Sequence, residues 1–322
     1  MTGLIHALLL DGKGGATALD WEKAITSTPQ GDEILWIHLD YTHPQAADWI
    51  KGAAQLNPLV AQALLDENTR PRAEKYPEGT LLALRGVNLN PGEDPEDMVA
   101  IRLWLEPQRI VSTRKRPLLS IREISAALLE GEGPATPGDV VTALSERLLT
   151  RMSGVIDQVE EQIIELEELM LESTTSQIRD QLSQLRRKLI TLKRYLSPQR
   201  EALDTLSLIK SNLLSEANKM ELRANKERLT RYLEELNEAR ERATVLQEEI
   251  INRTADLMNQ RMYVLSLVAA IFLPLGFLTG LLGINVGGIP GSENPWAFMI
   301  FLVILAVSTT SMLWYFKLKH WL

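Results

Sequence analysis

The chain of 322 residues is 45% hydrophobic and 24% charged, has a net charge of −8 and contains no cysteine. The acidic balance argues against a nucleic-acid-binding face, and the missing cysteines exclude disulfides and thiolate metal sites. The averages resemble those of a soluble protein only because the polar body before Arg261 dilutes a strongly apolar end.

The first residues, MTGLIHALLLDGKGG, lack a basic leader, and the apolar run at 7–10 is too short for a signal peptide. The body is therefore expected to stay in the compartment where it is made. Residues 1–135 read as an α/β domain. Strands are predicted at 34–39, 81–89, 98–105 and 109–113, each a short apolar run bounded by Pro, Gly or Asp. The first of these, ILWIHL, has no alternation and reads as a strand buried on both faces. Asn57-Pro58 opens a helix, with Asn as N-cap and Pro at the first position. A second helix over 118–130 stops at Gly131-Glu132-Gly133-Pro134. Gly12-Lys13-Gly14-Gly15 lacks the spacing of a dinucleotide loop and reads as a turn.

Residues 136–217 carry no strand signal. Ile156, Val159, Ile163, Leu166 and Met170, then Ile178, Leu182, Leu185, Leu189, Leu192 and Leu196, recur at three- and four-residue steps. They predict two long helices in an antiparallel hairpin around the polar break Ser173-Thr174-Thr175-Ser176. The acids Glu160, Glu161, Glu165, Glu167, Glu168 and Glu172 read as a solvated face. A third run, 218–261, places Tyr232, Leu236, Ala239, Ala243, Leu246, Ile250 and Leu257 at heptad spacing, with Arg253 its one charged member. It flows into the apolar segment, so one helix from Lys219 to Leu282, ~96 Å long, is expected. Its seam must be buried by the hairpin or by copies of itself.

Residues 262–282 and 295–316 contain no Asp, Glu, Lys, Arg or His. Each stretch makes a helix of about 32 Å, enough for the ~30 Å hydrocarbon core of a bilayer. Arg253 and Arg261 precede the first span, and Lys317 and Lys319 lie in the tail 317–322. The loop 283–294 has no Lys or Arg, so both termini are expected on the cytoplasmic side and the loop outside. The fold class is therefore an α+β membrane protein. An N-terminal α/β cytoplasmic domain leads through a helical hairpin and stalk to two C-terminal transmembrane helices.

No nucleophile elbow or P-loop is present, and His6, His38, His43 and His320 form no ligating pair with a nearby acid. Neither an enzyme nor a cofactor is expected. A path that held bare zinc would need His or Asp in the spans. Only Glu293 occurs, in the outer loop, where it can attract cations. What remains is backbone carbonyls and the side chains of Asn259, Ser266, Thr279 and Asn285, which can hold an ion's water shell softly enough for passage. Asn259, Met262, Ser266, Ala269, Leu273 and Gly276 share one face of the first span, and Leu265 joins them as a pore-lining candidate. That face suits either a narrow conduit or close helix packing. Two helices cannot enclose a pore, so a conduit needs several copies around one axis.

The segment IFLPLGFLTGLLGIN (271–285), followed by a short loop, a second span and the terminal YFKLKHWL, resembles the CorA superfamily of divalent-cation transporters. Within it, the chain looks most like the ZntB zinc transporters. NTRPR (68–72), EGTLLALR (78–85), IVSTRKR (110–116), RYLSPQR (194–200) and GINVGGIPG (283–291) extend the likeness along the chain. The resemblance implies a funnel-shaped homopentamer in the bacterial inner membrane, its central pore lined by the first spans. The family's Gly-Met-Asn signature falls on Gly283, Ile284 and Asn285, which implies an outer entrance for a hydrated ion at Gly283 and Asn285. Ile284 stands where magnesium members keep Met, and Gly276 where they commonly carry a hydroxyl; by analogy both departures favour zinc. The implied activity is Zn2+ uptake coupled to protons. No protonatable group lies in the first span, so coupling would fall to Glu293, or to Glu248, Glu249 and Asp256 in the stalk. Those acids can equally concentrate cations. Two alternatives stand beside zinc transport: a broader divalent-cation channel for Mg2+, Co2+ or Ni2+, and a membrane-anchored coiled-coil sensor or scaffold without a pore.

Overall fold

The computed structural model describes residues 3–172, 175–284, 289, 291 and 294–319. The chain divides into two compact units, one ending at Gln247 and one beginning at Glu248. The first holds β1 (Leu4–Leu10), β2 (Ala16–Leu19), α1 (Trp21–Thr26), β3 (Ile34–Asp40), α2 (Pro44–Lys51), α3 (Pro58–Leu65), β4 (Arg72–Lys75), β5 (Thr80–Gly86), β6 (Val99–Leu105), β7 (Arg109–Arg114), α4 (Leu119–Glu130), α5 (Pro137–Glu172) and α6 (Thr175–Leu208). Helix α7 (Glu216–Leu282) begins in the first unit and ends in the second, which also contains α8 (Ala297–Leu318).

The seven strands pair in the order β2-β1-β3-β7-β6-β5-β4. Only β3 and β7 run parallel; the other pairs are antiparallel. Every residue of β3 except Asp40 is buried, as expected of an apolar run without alternation. Leu35, Ile37 and Leu39 pack with Trp104 and Val111 against Trp49, Ile50, Val60 and Leu64 of α2 and α3. The other face receives α4 and α5. There Gly86 lies so close that an added Cβ would sit 2.5 Å from Leu148 Cδ2 and 2.9 Å from Leu118 Cδ1. Predicted strand 81–89 accordingly stops at Gly86, and Asn88 turns the chain by accepting the amide of Asn90 at 3.2 Å.

The hairpin β1–β2, the edge strand β4 and the helices α1 and α2 have no counterpart in the sequence reading. The run at 7–10 is the end of β1, a strand paired on both sides. The glycine cluster is the hairpin turn: Asp11 Oδ1 accepts from the amides of Lys13 and Gly15 at 2.8 and 2.9 Å. Gly12 and Gly14 hold φ of 72° and 104°, a backbone that favours glycine. Strand β4 is polar, short and at the sheet edge, and α1 and α2, of six and eight residues, are too short to show a period.

Helix starts follow the chemistry of their caps. Asn57 accepts from Leu59 N at 3.0 Å, with Pro58 at the first turn of α3. Thr136 and Asp139 exchange reciprocal side chain–backbone bonds of 3.0 and 3.1 Å before α5, and Ser215 and Asn218 do so before α7 at 3.0 and 3.1 Å. Asn218 Nδ2 donates to Asp139 Oδ1 at 2.7 Å, tying the two starts together. The hairpin seam positions predicted on α5 and α6 are all buried where described. On α7, Tyr232 to Ile250 of the heptad row are buried, but Leu257 is 49% exposed, so burial of that row by its own chain stops after Ile250. On the acid face of α5, Glu160, Glu161, Glu165 and Glu168 are solvated, whereas the Glu167 carboxylate takes the Arg242 guanidinium of α7 through bonds of 2.9 and 2.6 Å. That fork holds the Glu167 carboxyl below its usual range.

Candidate ion pathway

Helices α7 and α8 each contain an 18-residue stretch apolar enough to cross a bilayer, none of it buried by the chain itself. Their half-buried positions fall in rows. On α7 these are Leu267, Ile271, Pro274, Leu275 and Leu278; on α8 they are Ala297, Phe301, Leu305, Ser308, Thr309 and Met312. Three- and four-residue steps put each row on one helix face. Among the described residues this unit holds only these two helices as regular elements, so the two rows form the seam between them.

The predicted pore face lies elsewhere. Asn259, Met262, Ser266, Ala269, Leu273 and Gly276 are all exposed, Met262 by 57% and Leu273 by 72%. At 3.6 residues per turn they sit about half a turn from the α8 seam. Leu265, 62% exposed, stands one row to the side with Phe272. The free face therefore mixes polar Asn259 and Ser266 with small Ala269 and Gly276 and larger Met262 and Leu273, while the neighbouring exposed positions Val264, Val268 and Phe272 are all bulky and suit lipid.

Sequence reasoning began this face at Asn259 and missed its continuation. Counting back in heptads gives Glu248, Ala255, Met262, Ala269, Gly276 in one row and Asn252, Asn259, Ser266, Leu273, Gly280 in the next, every member exposed. Alternate four- and three-residue steps between these rows form the a/d pattern of a left-handed helical bundle. Glu249 falls off this face and pairs with Arg253, Oε1 to Nε at 2.7 Å. Asp256 is exposed outside the two rows. Among the described residues, no three His, Cys, Asp or Glu gather closely enough to hold a metal.

Pro274 sits inside α7 and cannot donate to the carbonyl of Ala270, leaving a backbone acceptor in the first span. Gly283 closes the helix: its amide reaches Thr279 O at 3.0 Å and Gly280 O at 3.3 Å. A Cβ there would lie 2.8 Å from Thr279 O, whereas one at Gly276 meets nothing within 4 Å. Gly283 thus has a backbone reason to be glycine. Asn285 and Glu293 lie outside the described residues. We expect Gly283→Ala to lower the unfolding midpoint of the purified protein, at a cost of about 1 kcal/mol, and Gly276→Ala to leave it unchanged. Thermal melts of both variants in detergent check this.

The sequence matches the family described as CorA-like Mg2+ transporter protein over residues 31–318. The zinc transport protein ZntB of Pectobacterium atrosepticum is 38% identical over 321 residues, covering 100% of this chain and 97% of that protein. The divalent cation transporter CmaX of Pseudomonas aeruginosa is 38% identical over 327 residues, covering 99% and 97%. A solved structure of full-length CmaX matches with a TM-score of 0.84 at 38% identity, covering 99% of this chain and 98% of that one.

Proposed function

The chain belongs to the CorA-like Mg2+ transporter family, and from that membership we propose that it carries divalent cations across a membrane along the free face of α7. The observation that carries this reading is the split of α7 into a seam row toward α8 and, about half a turn away, an exposed row that interleaves polar and small residues with Met262 and Leu273. A plain anchor has no need of asparagine, serine and glycine in register on its free face. One copy cannot enclose a path, so the reading requires a ring, and we take it to be a homopentamer. In this arrangement 1–135 and the hairpin 136–217 are cytoplasmic, 218–261 is the stalk, and 262–282 and 295–316 are the spans. Both termini lie on the cytoplasmic side of the bacterial inner membrane, and Gly283 and Asn285 stand at the outer mouth, with Glu293 drawing cations toward it.

Zinc is the cargo we favour, supported by the name of the ZntB relative and by the two departures at Ile284 and Gly276. A broader divalent-cation channel is the second reading, because the CmaX relative, at the same identity, is named only for divalent cations. Proton coupling would rest on Glu248, the acid of the stalk that shares the free face. The purified protein in liposomes, given zinc or magnesium with the pH gradient set in either direction, tests all three. Zinc flux that follows the pH gradient is expected; an absence of any metal flux would sink the transporter reading. Asn285→Ala is expected to slow flux by about tenfold, a barrier change of ~1.4 kcal/mol, with the oligomer intact by size exclusion.

A further inference from the structure

A groove of about 530 Å3 in the first unit collects Arg70, Lys193, Arg194 and Arg240 around one carboxylate, Glu201. Its floor is apolar, with Leu189, Pro198 and Leu236. In a chain of net charge −8, four cations against one acid is a local inversion of the overall balance. Some other basic residues of this unit are matched: Arg242 pairs with Glu167, Lys226 with Asp204 and Arg116 with Asp97. Among the described residues no ion pair reaches the four cations of the groove. Lys193 donates Nζ to Asn237 Oδ1 at 2.6 Å, and the Arg194 guanidinium lies 5.6 Å from the Tyr195 ring centre.

The groove is also held in shape by a half-buried fastening. Arg85 of β5 donates through Nη2 to Thr69 O at 3.0 Å, and its guanidinium lies 4.1 Å from the Tyr195 ring centre. Its own amide donates to Gln199 Oε1 at 2.7 Å. One arginine thus fixes the residue before Arg70 beside the turn of α6 that carries Arg194 and Pro198. The NTRPR and RYLSPQR segments meet here, and the ion path makes no use of them. Pro198, lacking an N–H, also leaves the carbonyl of Arg194 without its helical donor, an acceptor in the groove wall for a ligand hydroxyl.

Unmatched cations set over an apolar floor need an anion, and guanidinium forks match phosphate oxygens in pairs. We propose that this groove binds a multiply charged phosphate-bearing anion, its phosphates on Arg70, Arg194 and Arg240 and its organic part over Leu189, Pro198 and Leu236. The fastening holds the groove's backbone in place, so binding has to order only the arginine side chains. The site is separate from the ion path and does not depend on the transport reading.

Isothermal titration of the full-length protein in detergent, with EDTA and constant ionic strength, tests it using ATP, pyrophosphate and chloride. ATP and pyrophosphate are expected to bind saturably and chloride not at all. Arg70→Gln with Arg240→Gln is expected to weaken ATP at least tenfold, while Arg122→Gln, on the exposed face of α4, leaves it unchanged. Size exclusion and thermal melting establish that each variant keeps its fold and assembly. Two results would overturn the proposal: no binding by the parent, or equal loss in Arg122→Gln and the double variant. If the double variant instead breaks the oligomer and the parent binds neither phosphate, the groove is a contact between copies and the proposal fails.

Discussion

Cysteine placed at Ser266 or Ala269 is expected to react with a cationic, water-borne thiosulfonate, and divalent-cation flux is expected to fall at least tenfold. Cysteine at Leu267 or Ile271 should react slowly or not at all and leave flux unchanged. The contrast is sharp because these positions are neighbours in sequence yet lie about 100° to 160° apart around α7. Ser266 and Ala269 belong to the exposed row, and Leu267 and Ile271 to the seam with α8. The parent chain has no cysteine, so it serves directly as the unreactive control. The block should be deep because each modified copy adds a positive charge to one ring in a medium of low dielectric, where like charges repel an incoming cation strongly. Reactivity at Leu267 with silence at Ser266 would reverse the assignment of the two faces. Phe272, exposed but flanked by bulky residues, supplies a third arm: cysteine there faces lipid in this reading and should resist the same reagent.

The residues that were legible in the sequence and those that were not differ for physical reasons. Strand β3 was readable because burial on both faces leaves an unbroken apolar run, and α3 because Asn57-Pro58 is a local cap signal. The hairpin β1–β2 was not, since its apolar stretch gains meaning only from pairing with β3, more than twenty residues on. The small and polar face of the first span was visible because helical spacing alone aligns Asn259 with Gly276. Its extension to Glu248, Asn252 and Ala255 was equally present, but the count followed the uncharged span and stopped just before it, at Asn259. The seam with α8 could not be read at all. Both spans are apolar nearly all round, so Leu267 and Leu278 look no different from Val264 until the second helix is set against them. Gly283 was read as part of an entrance, whereas its closest neighbour, Thr279 O, gives it a backbone role as well.

Acidification is expected to lower the stability of the first unit before its carboxylates titrate. His6 and His38 are register partners on β1 and β3, their rings 5.0 Å apart. Ser112 Oγ takes the Trp36 indole N–H at 2.8 Å and meets His38 Nδ1 at 2.8 Å, while Nε2 of each histidine is buried without a hydrogen-bond partner. A proton added to either ring would be desolvated, would face the other ring, and would stand near the cation of Arg114. Burial first, then Arg114, lowers the His6 pKa to about 4, and burial holds His38 well below its usual value. The sign follows from linkage. An unfolded histidine takes up its proton near pH 6.5, while the folded one refuses it until about pH 4. Stability from this group is therefore complete above pH 6.5 and is lost as pH falls through that window, about 3 kcal/mol for His6 alone. His38 adds to the loss in the same direction. Carboxylates held low by ion pairs, such as Glu167, contribute mainly below their unfolded pKa near 4.5, so a slope between pH 6.5 and 5 belongs to histidine. Unfolding midpoints of the full chain in detergent, followed by tryptophan fluorescence from pH 7.5 to 4.5, measure it. His6→Leu should flatten that slope by roughly one proton's worth, about 1.4 kcal/mol per pH unit. A parent profile already flat from pH 6.5 to 5 would mean that the pair is not held neutral by burial.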